Sequence, residues 1–461
     1  MKILVVDMTH GGTILASEFA KKQKCEVLAW DIYHTLNWQE RALLLDQEIE
    51  LVDDTFLEEN LAKHEDRDDF LVVAPVHCNL PFSPPDSPFP NLMTHHQAVH
   101  YLMKNRISVP IIEITGVKGK TSAVAILKEI FRDENPLILS SMGIEVLKQG
   151  EEKLHQKDVS ITPASIITSW ELAEKHYDVG MCIFEMSLGG TGLADVGVLT
   201  NIAEDYPIAN AHSRASQAKS QIFSSKLVAC DYEVYQKIYK HLPLPCNRVN
   251  TFGIEGEPNV RAKMIEYGLQ QTTFEVDVAD LKTMEGKSIN TSFKVSTFAP
   301  AQYHLENALS AICGSLSMGT SKEVIIQGLK NFRGLPGRTS FKNQHGSRII
   351  EEINPGLNMA AIKKTVQMIR DFKDPVIILG GEYGVTCEEI NEKSLSTFLN
   401  HINENIPLIL TGNLGKSILT SIKRDSIYQS HIQDAVDLAA KKGGKNILLI
   451  YRSRFSDLNR R

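Results

Sequence analysis

Residues 109–131 run from the apolar segment VPIIEI through the turn TGVKGKTS into AVAILKEIF, whose apolar residues recur at helical spacing. A buried strand that empties into a glycine turn and then a helix commits a chain to α/β architecture, with the turn at the carboxyl end of a strand. Gly116 and Gly119 allow backbone N–H groups to turn inward, Lys120 offers a point charge, and Thr121 offers a hydroxyl. The positive end of the helix faces the same place, so the group suited to this turn is a phosphate with its Mg2+. The spacing is a short form: the common G-x(4)-G-K-[ST] loop needs a glycine where this chain has Ile114. Thr115, Gly116, Val117, Lys118, Gly119, Lys120, Thr121 and Ser122 are the candidate nucleotide loop, against the plainer reading of a glycine turn with an exposed lysine. Glu185 ends the apolar run CIFEMS and is the candidate hard-oxygen ligand for the same Mg2+, against a solvated strand-end glutamate.

The remainder divides around this turn. KILVVD, CEVLAWDIY and DFLVVAP read as strands of a small doubly wound unit, with helices at MTHGGTILASEFAKKQ and THHQAVHYLMKNR. Residues 258–298 alternate polar and apolar side chains, which predicts antiparallel strands added to a parallel core. RGLPGRTSF, spanning Gly334 to Arg338, reads as a hinge, and SRIIEEIN, PVIILGGEYG, PLILTGN and NILLIYRS alternate with helices beyond it. Three α/β domains follow: residues 1–107, 108–338 and 339–461.

Composition narrows the function classes. A net charge of -7 argues against general nucleic-acid binding. Seven cysteines without a C-x-x-C pair fit a reducing cytoplasm and argue against a zinc or disulfide framework. No apolar run approaches the ~18 residues of a membrane span, and the amino terminus reads as a strand, so a cytoplasmic protein without a membrane partner is expected.

The order TGVKGKTS, FEMSLGGTGLADVGVLTNIAED, ENALSA and RGLPGR resembles the Mur ligase superfamily from about residue 108 onward. The resemblance implies an N-terminal Rossmann-like substrate domain, a central P-loop ATPase domain and a C-terminal Rossmann-like domain that closes over ATP. It also implies a reaction in which ATP phosphorylates a carboxylate and a nucleophile displaces the phosphate. By the matching motifs, Lys120 and Thr121 serve the phosphates and Mg2+, Glu185 the Mg2+, Asn307 the adenine and Arg338 the nucleotide from the hinge. Lys219 falls where several members carry a carbamylated lysine, although the residues alone favour an exposed helix lysine. Glu352 falls near the family's ribose-binding acid. Two motifs depart: Tyr206 stands where the family has a Mg2+-linked histidine, and Tyr303 and His304 replace a histidine–asparagine pair. A phenol is a poor ligand near neutral pH, so Asp205 or His212 would have to serve a second metal, or that site is absent.

DMTHGGT and APVHCNLPF in the first domain differ from the UDP-binding pattern of the peptidoglycan ligases. With KGKTS and ENALSA they resemble the coenzyme F-430 synthetases, a divergent Mur-like family of methanogenic archaea. That resemblance implies a small-molecule nickel tetrapyrrole substrate, the nickel seco-acid precursor, and a carbon–carbon ring closure through an acyl phosphate. His10 and His77 sit at carboxyl ends of strands and are candidates to ligate the substrate's nickel or to hydrogen-bond its carboxylates; satisfying their own loops is the alternative. Cys78 reads as packing, and His95 and His96 read as exposed residues opening a helix. Two other classes stay open: an amide-forming ligase of pseudomurein or cofactor-tailoring type, and a non-catalytic nucleotide-responsive binding protein.

Overall fold

The computed structural model describes residues 2–453 except 23–24, 62–67, 79, 81–90, 158, 209–212, 247, 269, 336–338, 345, 354–356, 370–371 and 385–389. The strand Lys2–Val6 is apolar from Ile3 onward and buried on both faces, as a central parallel strand requires. It pairs in parallel with Val27–Trp30 and Phe70–Ala74, placing Val5 opposite both Ala29 and Val73. The short strands Glu50–Val52 and Leu92–Thr94, not anticipated from the sequence, complete a five-stranded sheet.

Ile111–Thr115, the strand before the glycine turn, lies inside an 11-stranded sheet. It runs parallel to Met181–Glu185 on one side and Val196–Leu199 on the other. Pro136–Ser140 extends the parallel core on one flank, and Leu227–Asp231 and Val249–Gly253 on the other. The strands expected within 258–298 are present as Val260–Glu266, Thr272–Lys282 and Ser288–Thr297. The first of them joins the core in parallel, through Phe252 opposite Val260, where an antiparallel addition was expected. Antiparallel pairing occurs at the other edge, where Gly143–Lys148 turns back on Pro136–Ser140.

A third sheet of six strands holds Ser347–Ile353, Asn446–Arg452, Pro375–Gly381, Leu408–Thr411 and Ser426–Gln429 in parallel, with Thr339–Gln344 antiparallel at its edge. The chain forms two compact units. One comprises residues 1–265, 274–295 and 303–331; the other comprises 266–273, 296–302 and 332–461.

Within the first unit the two sheets share one apolar core. Leu15 and Phe19 of the helix Thr13–Lys22, Val99 and Leu102 of His95–Met103, Leu137 and Leu139, and Ile166 and Trp170 of Ser165–Glu174 all belong to it. Burying apolar groups from both sheets in one close-packed cluster fixes the two as a body, so their carboxyl edges stand in a defined relation. Among the described residues no helix is long and apolar enough to cross a membrane.

Candidate active site

The glycine turn opens at the carboxyl end of a central strand, as the sequence predicts. Gly116 has φ 147° and Gly119 φ 83°, and the helix Lys120–Ile130 starts with no side chain capping its first N–H groups. Those donors and the helix dipole are left for an anion. Lys120 folds back over the turn, its Nζ donating to Gly116 O at 3.1 Å.

The turn is held from outside by Thr200 and Asn201, which follow the neighbouring strand. Asn201 Oδ1 accepts from Lys118 N and Asn201 Nδ2 donates to Lys118 O, each at 3.1 Å, while Asn201 O accepts from Val117 N at 3.0 Å. Thr200 Oγ1 donates to Lys118 O at 2.6 Å. The N–H groups of Val117 and Lys118 are thereby committed to the protein, which leaves Gly116, Gly119 and the helix start to face a phosphate. Thr115 is fully buried, and its Oγ1 accepts from Gly189 N at 3.2 Å. Asn307, in the helix Gln302–Met318, packs against the turn so closely that a methyl group on Gly119 would fall 2.0 Å from its Oδ1.

Three oxygens converge behind the helix start. Thr121 Oγ1 donates to Glu185 Oε1 at 3.1 Å and lies 2.9 Å from Ser141 Oγ, and Ser141 N donates to Glu185 Oε2 at 3.0 Å. Glu185 is 2% exposed, which rules out the solvated strand-end reading. Two hydroxyls and a buried carboxylate suit Mg2+. Sequence reasoning missed Ser141; its signal is a serine just past an apolar strand beside the P-loop.

Lys219 ends the short helix Ala215–Lys219 and is 1% exposed, contrary to the exposed lysine its sequence suggested. Its Nζ donates to Ser187 O at 2.5 Å. Burial, with the Lys120 charge adding to it, brings the Lys219 ammonium down to about 7. Burial raises the Tyr206 phenol, which keeps it protonated and a poor ligand. Asp205 is occupied at the start of the same helix, accepting from Ser216 N at 2.8 Å and Ser216 Oγ at 2.9 Å. His212 and Arg338 lie outside the described residues. His304 is buried beside Tyr303, ring centroids 4.0 Å apart, and burial lowers its pKa to about 3, so it is neutral. Glu352 lies in the strand Ser347–Ile353 of the other compact unit, where its Oε2 accepts from Thr339 Oγ1 at 2.5 Å.

A second cluster forms at the carboxyl edge of the five-stranded sheet. His10 Nδ1 is 2.7 Å from Asp7 Oδ2, and His77 Nε2 is 3.3 Å from the same oxygen. Asp7 was not singled out by the sequence because it reads as an ordinary strand-end acid. It is fully buried at φ 68°, and its Oδ1 accepts from Thr9 N at 3.0 Å and His10 N at 3.3 Å. Burial acts to raise its pKa, but the two imidazoles prevail and hold it below the usual carboxylate range. Cys78 beside it is pushed up to about 11, first by burial and then by the Asp7 charge, so it stays a thiol.

His95 and His96 are 1% and 3% exposed, correcting the expectation that they face solvent. The helix they open backs onto the first strand, where His95 Nε2 lies 3.0 Å from Val6 O. Burial lowers their pKa values to about 4 and about 3 respectively. Gln221 ties this helix to the loop after Glu185: its Oε1 accepts from Thr94 Oγ1 at 2.9 Å and its Nε2 donates to Leu188 O at 2.9 Å. The loop of His10 meets the central sheet's unit as well, since a methyl on Gly11 would fall 2.7 Å from Ala164 Cβ. The histidine cluster and the phosphate turn therefore belong to the same compact unit.

Comparison with known proteins agrees with this layout. The Mur ligase middle domain matches residues 114–314, and the family described as "Coenzyme F430 synthetase CfbE, C-terminal domain" matches residues 341–454. The chain is 27% identical to the coenzyme F(430) synthetase of Methanosarcina acetivorans over 97% of both chains. It is also 27% identical to the protein of that name from Methanocaldococcus jannaschii, over 92% of this chain and 97% of that one. In fold it is similar to the MurF ligase of Thermotoga maritima in complex with ADP, at a TM-score of 0.55 and 14% identity, covering 97% of each chain. The chain thus carries a Mur ligase middle domain followed by a C-terminal segment of the coenzyme F430 synthetase type, and coenzyme F430 synthetases are among its relatives.

Proposed function

We propose that this protein is a coenzyme F-430 synthetase: an ATP-dependent ligase that activates the free propionate carboxylate of the nickel seco-acid precursor and closes a carbocyclic ring. The observation that carries this reading is the convergence of Thr121, Ser141 and Glu185 behind an uncapped helix start, an arrangement suited to phosphoryl transfer. It stands in a chain matched over 97% and 92% of its length by two relatives of that name.

The chemistry divides into two displacements. A propionate oxygen attacks the γ-phosphorus of ATP and ADP leaves, giving an acyl phosphate. An enolised carbon of the same macrocycle then attacks the acyl carbon, its proton passes to a base, and inorganic phosphate departs. Carboxylate is a poor electrophile and phosphate a good leaving group, so the protein's work is to position the groups and balance charge. Gly116, Gly119 and the start of the helix take the phosphates. Lys120 leaves Gly116 O to neutralise them and Asn307 borders the adenine side; the resemblance to the Mur ligases adds Arg338 and Glu352 as nucleotide residues. Thr121, Ser141 and Glu185 would hold Mg2+, which would supply positive charge to the transferring phosphoryl group. Lys219 has a substantial neutral fraction near pH 7, and a neutral amine can take up carbon dioxide as a carbamate with release of a proton. His10 and His77 contact the tetrapyrrole, and the domains are residues 1–107, 108–338 and 339–461.

The reading is tested by phosphate release from purified protein with ATP and Mg2+, with and without the nickel seco-acid, no amine being present. Release that depends on the seco-acid supports it. Release that appears only when an amino acid is added moves the protein to amide ligation.

A further inference from the structure

We propose that Asp7, His10 and His77 form a site for a divalent first-row transition-metal ion, separate from the Mg2+ of the nucleotide. The inference does not depend on the reaction assigned above. His10 Nδ1, His77 Nε2 and a carboxylate oxygen of Asp7 all lie within 4.8 Å of one another. An ion about 2.0–2.2 Å from each ligand needs them about 3.4 Å apart. The two nitrogens already stand 2.7 Å and 3.3 Å from Asp7 Oδ2, and rotation of the two imidazoles, whose nitrogens are within 4.8 Å of each other, brings the set to that spacing.

The donors are prearranged. Thr9 N and His10 N occupy Asp7 Oδ1, which turns Oδ2 alone toward the rings. Asp7 is fully buried in the left-handed region, a conformation aspartate tolerates through such local bonds. His77 Nε2 is buried and makes no hydrogen bond; it is within ion-pair range of Asp7 but outside hydrogen-bonding geometry. A ring nitrogen so placed is a donor available to a cation shared with the carboxylate. The rings stand edge to face, 4.8 Å between centroids at 84°, so their nitrogens approach from different directions.

Two imidazoles and one carboxylate select an ion of the Zn2+, Co2+ or Ni2+ kind, whereas Mg2+ prefers oxygen alone. The His10 side chain is 46% exposed and that of His77 25%, so the outer positions face solvent. A carboxylate of a bound substrate is the ligand class suited to them.

The test uses Co2+ alone, titrated into the full-length, nucleotide-free protein and followed by visible absorption and calorimetry. The expected result is one equivalent bound with ligand-field bands and proton release. Affinity falls at least tenfold in His10→Ala and again in His77→Ala, both with unchanged circular dichroism, while Glu185→Gln binds like the parent. Absence of saturable binding, or binding lost in Glu185→Gln but kept in both histidine variants, overturns the proposal.

Discussion

The carboxamide of Asn201 holds both the N–H and the C=O of Lys118, each at 3.1 Å, so a side chain from the neighbouring strand completes the phosphate turn as a paired strand would. Removing it in Asn201→Ala frees two backbone groups at the turn. At about 1 kcal/mol per bond, ADP binding weakens by up to about thirtyfold while the fold persists. Calorimetric titration with ADP measures this, and unchanged affinity would mean that the turn holds itself.

Gly119→Ala imposes a side chain at φ 83° and drives a methyl into Asn307 Oδ1. The left-handed conformation alone costs about 1–2 kcal/mol. Nucleotide binding falls at least tenfold and thermal stability drops, whereas alanine at Gly286, which has no neighbour within 4 Å, leaves nucleotide binding intact. Equal ADP binding by the two variants would contradict the packing of Asn307 on the turn.

Glu185→Gln keeps the shape of the cluster around Thr121 but removes its charge. The expected outcome is a rise of at least tenfold in the Mg2+ needed for half-maximal turnover, with kcat reduced about a hundredfold. A Mg2+ dependence matching the parent would take Glu185 out of the metal site.

Lys219, brought down to about 7, is mostly charged at pH 6 and mostly neutral at pH 8. If its neutral form takes up carbon dioxide, a carbamate signal with 13C-labelled carbon dioxide grows as pH rises through 7 and is absent in Lys219→Ala. Turnover follows the same rise. A signal that does not change with pH, or that survives in the variant, would count against the assignment.

Glu113, in the strand Ile111–Thr115, accepts from Thr191 N at 2.8 Å, and burial raises its pKa from 4.5 to about 7. The folded state therefore keeps a proton that the unfolded chain has released between those values. This contribution is fully present below pH 4.5 and is lost as pH rises through 7, with a slope of at most about 1.4 kcal/mol per pH unit. Urea melts of the parent and Glu113→Gln at pH 5 and pH 8 measure it: the parent loses ground to the variant at the higher pH. A difference independent of pH would place the Glu113 pKa near that of the unfolded chain.

The phosphate turn and Glu185 were legible because their signal is local: apolar strand, glycines, lysine, helix. Asp7 was not, since nothing in KILVVD separates a solvated acid from one receiving two imidazoles. The meeting depends on parallel register that sets Val5 opposite Val73 and so brings the ends of two distant strands together. Asn201 depends in the same way on Thr115 lying opposite Leu199. Lys219, His95 and His96 carry polar side chains whose usual place is solvent, and their burial comes from tertiary packing that no local pattern records. The parallel entry of Val260–Glu266 escaped notice because alternation marks a half-exposed strand and says nothing of its direction.

The central claim is ring closure without an amine, and mass spectrometry of an anaerobic reaction tests it most directly. Protein, Mg2+, ATP and the nickel seco-acid are incubated alone. The account predicts that the tetrapyrrole loses one water as ADP and phosphate form in equal amounts. A tetrapyrrole of unchanged mass, or one that gains mass only when an amino acid is supplied, would contradict it.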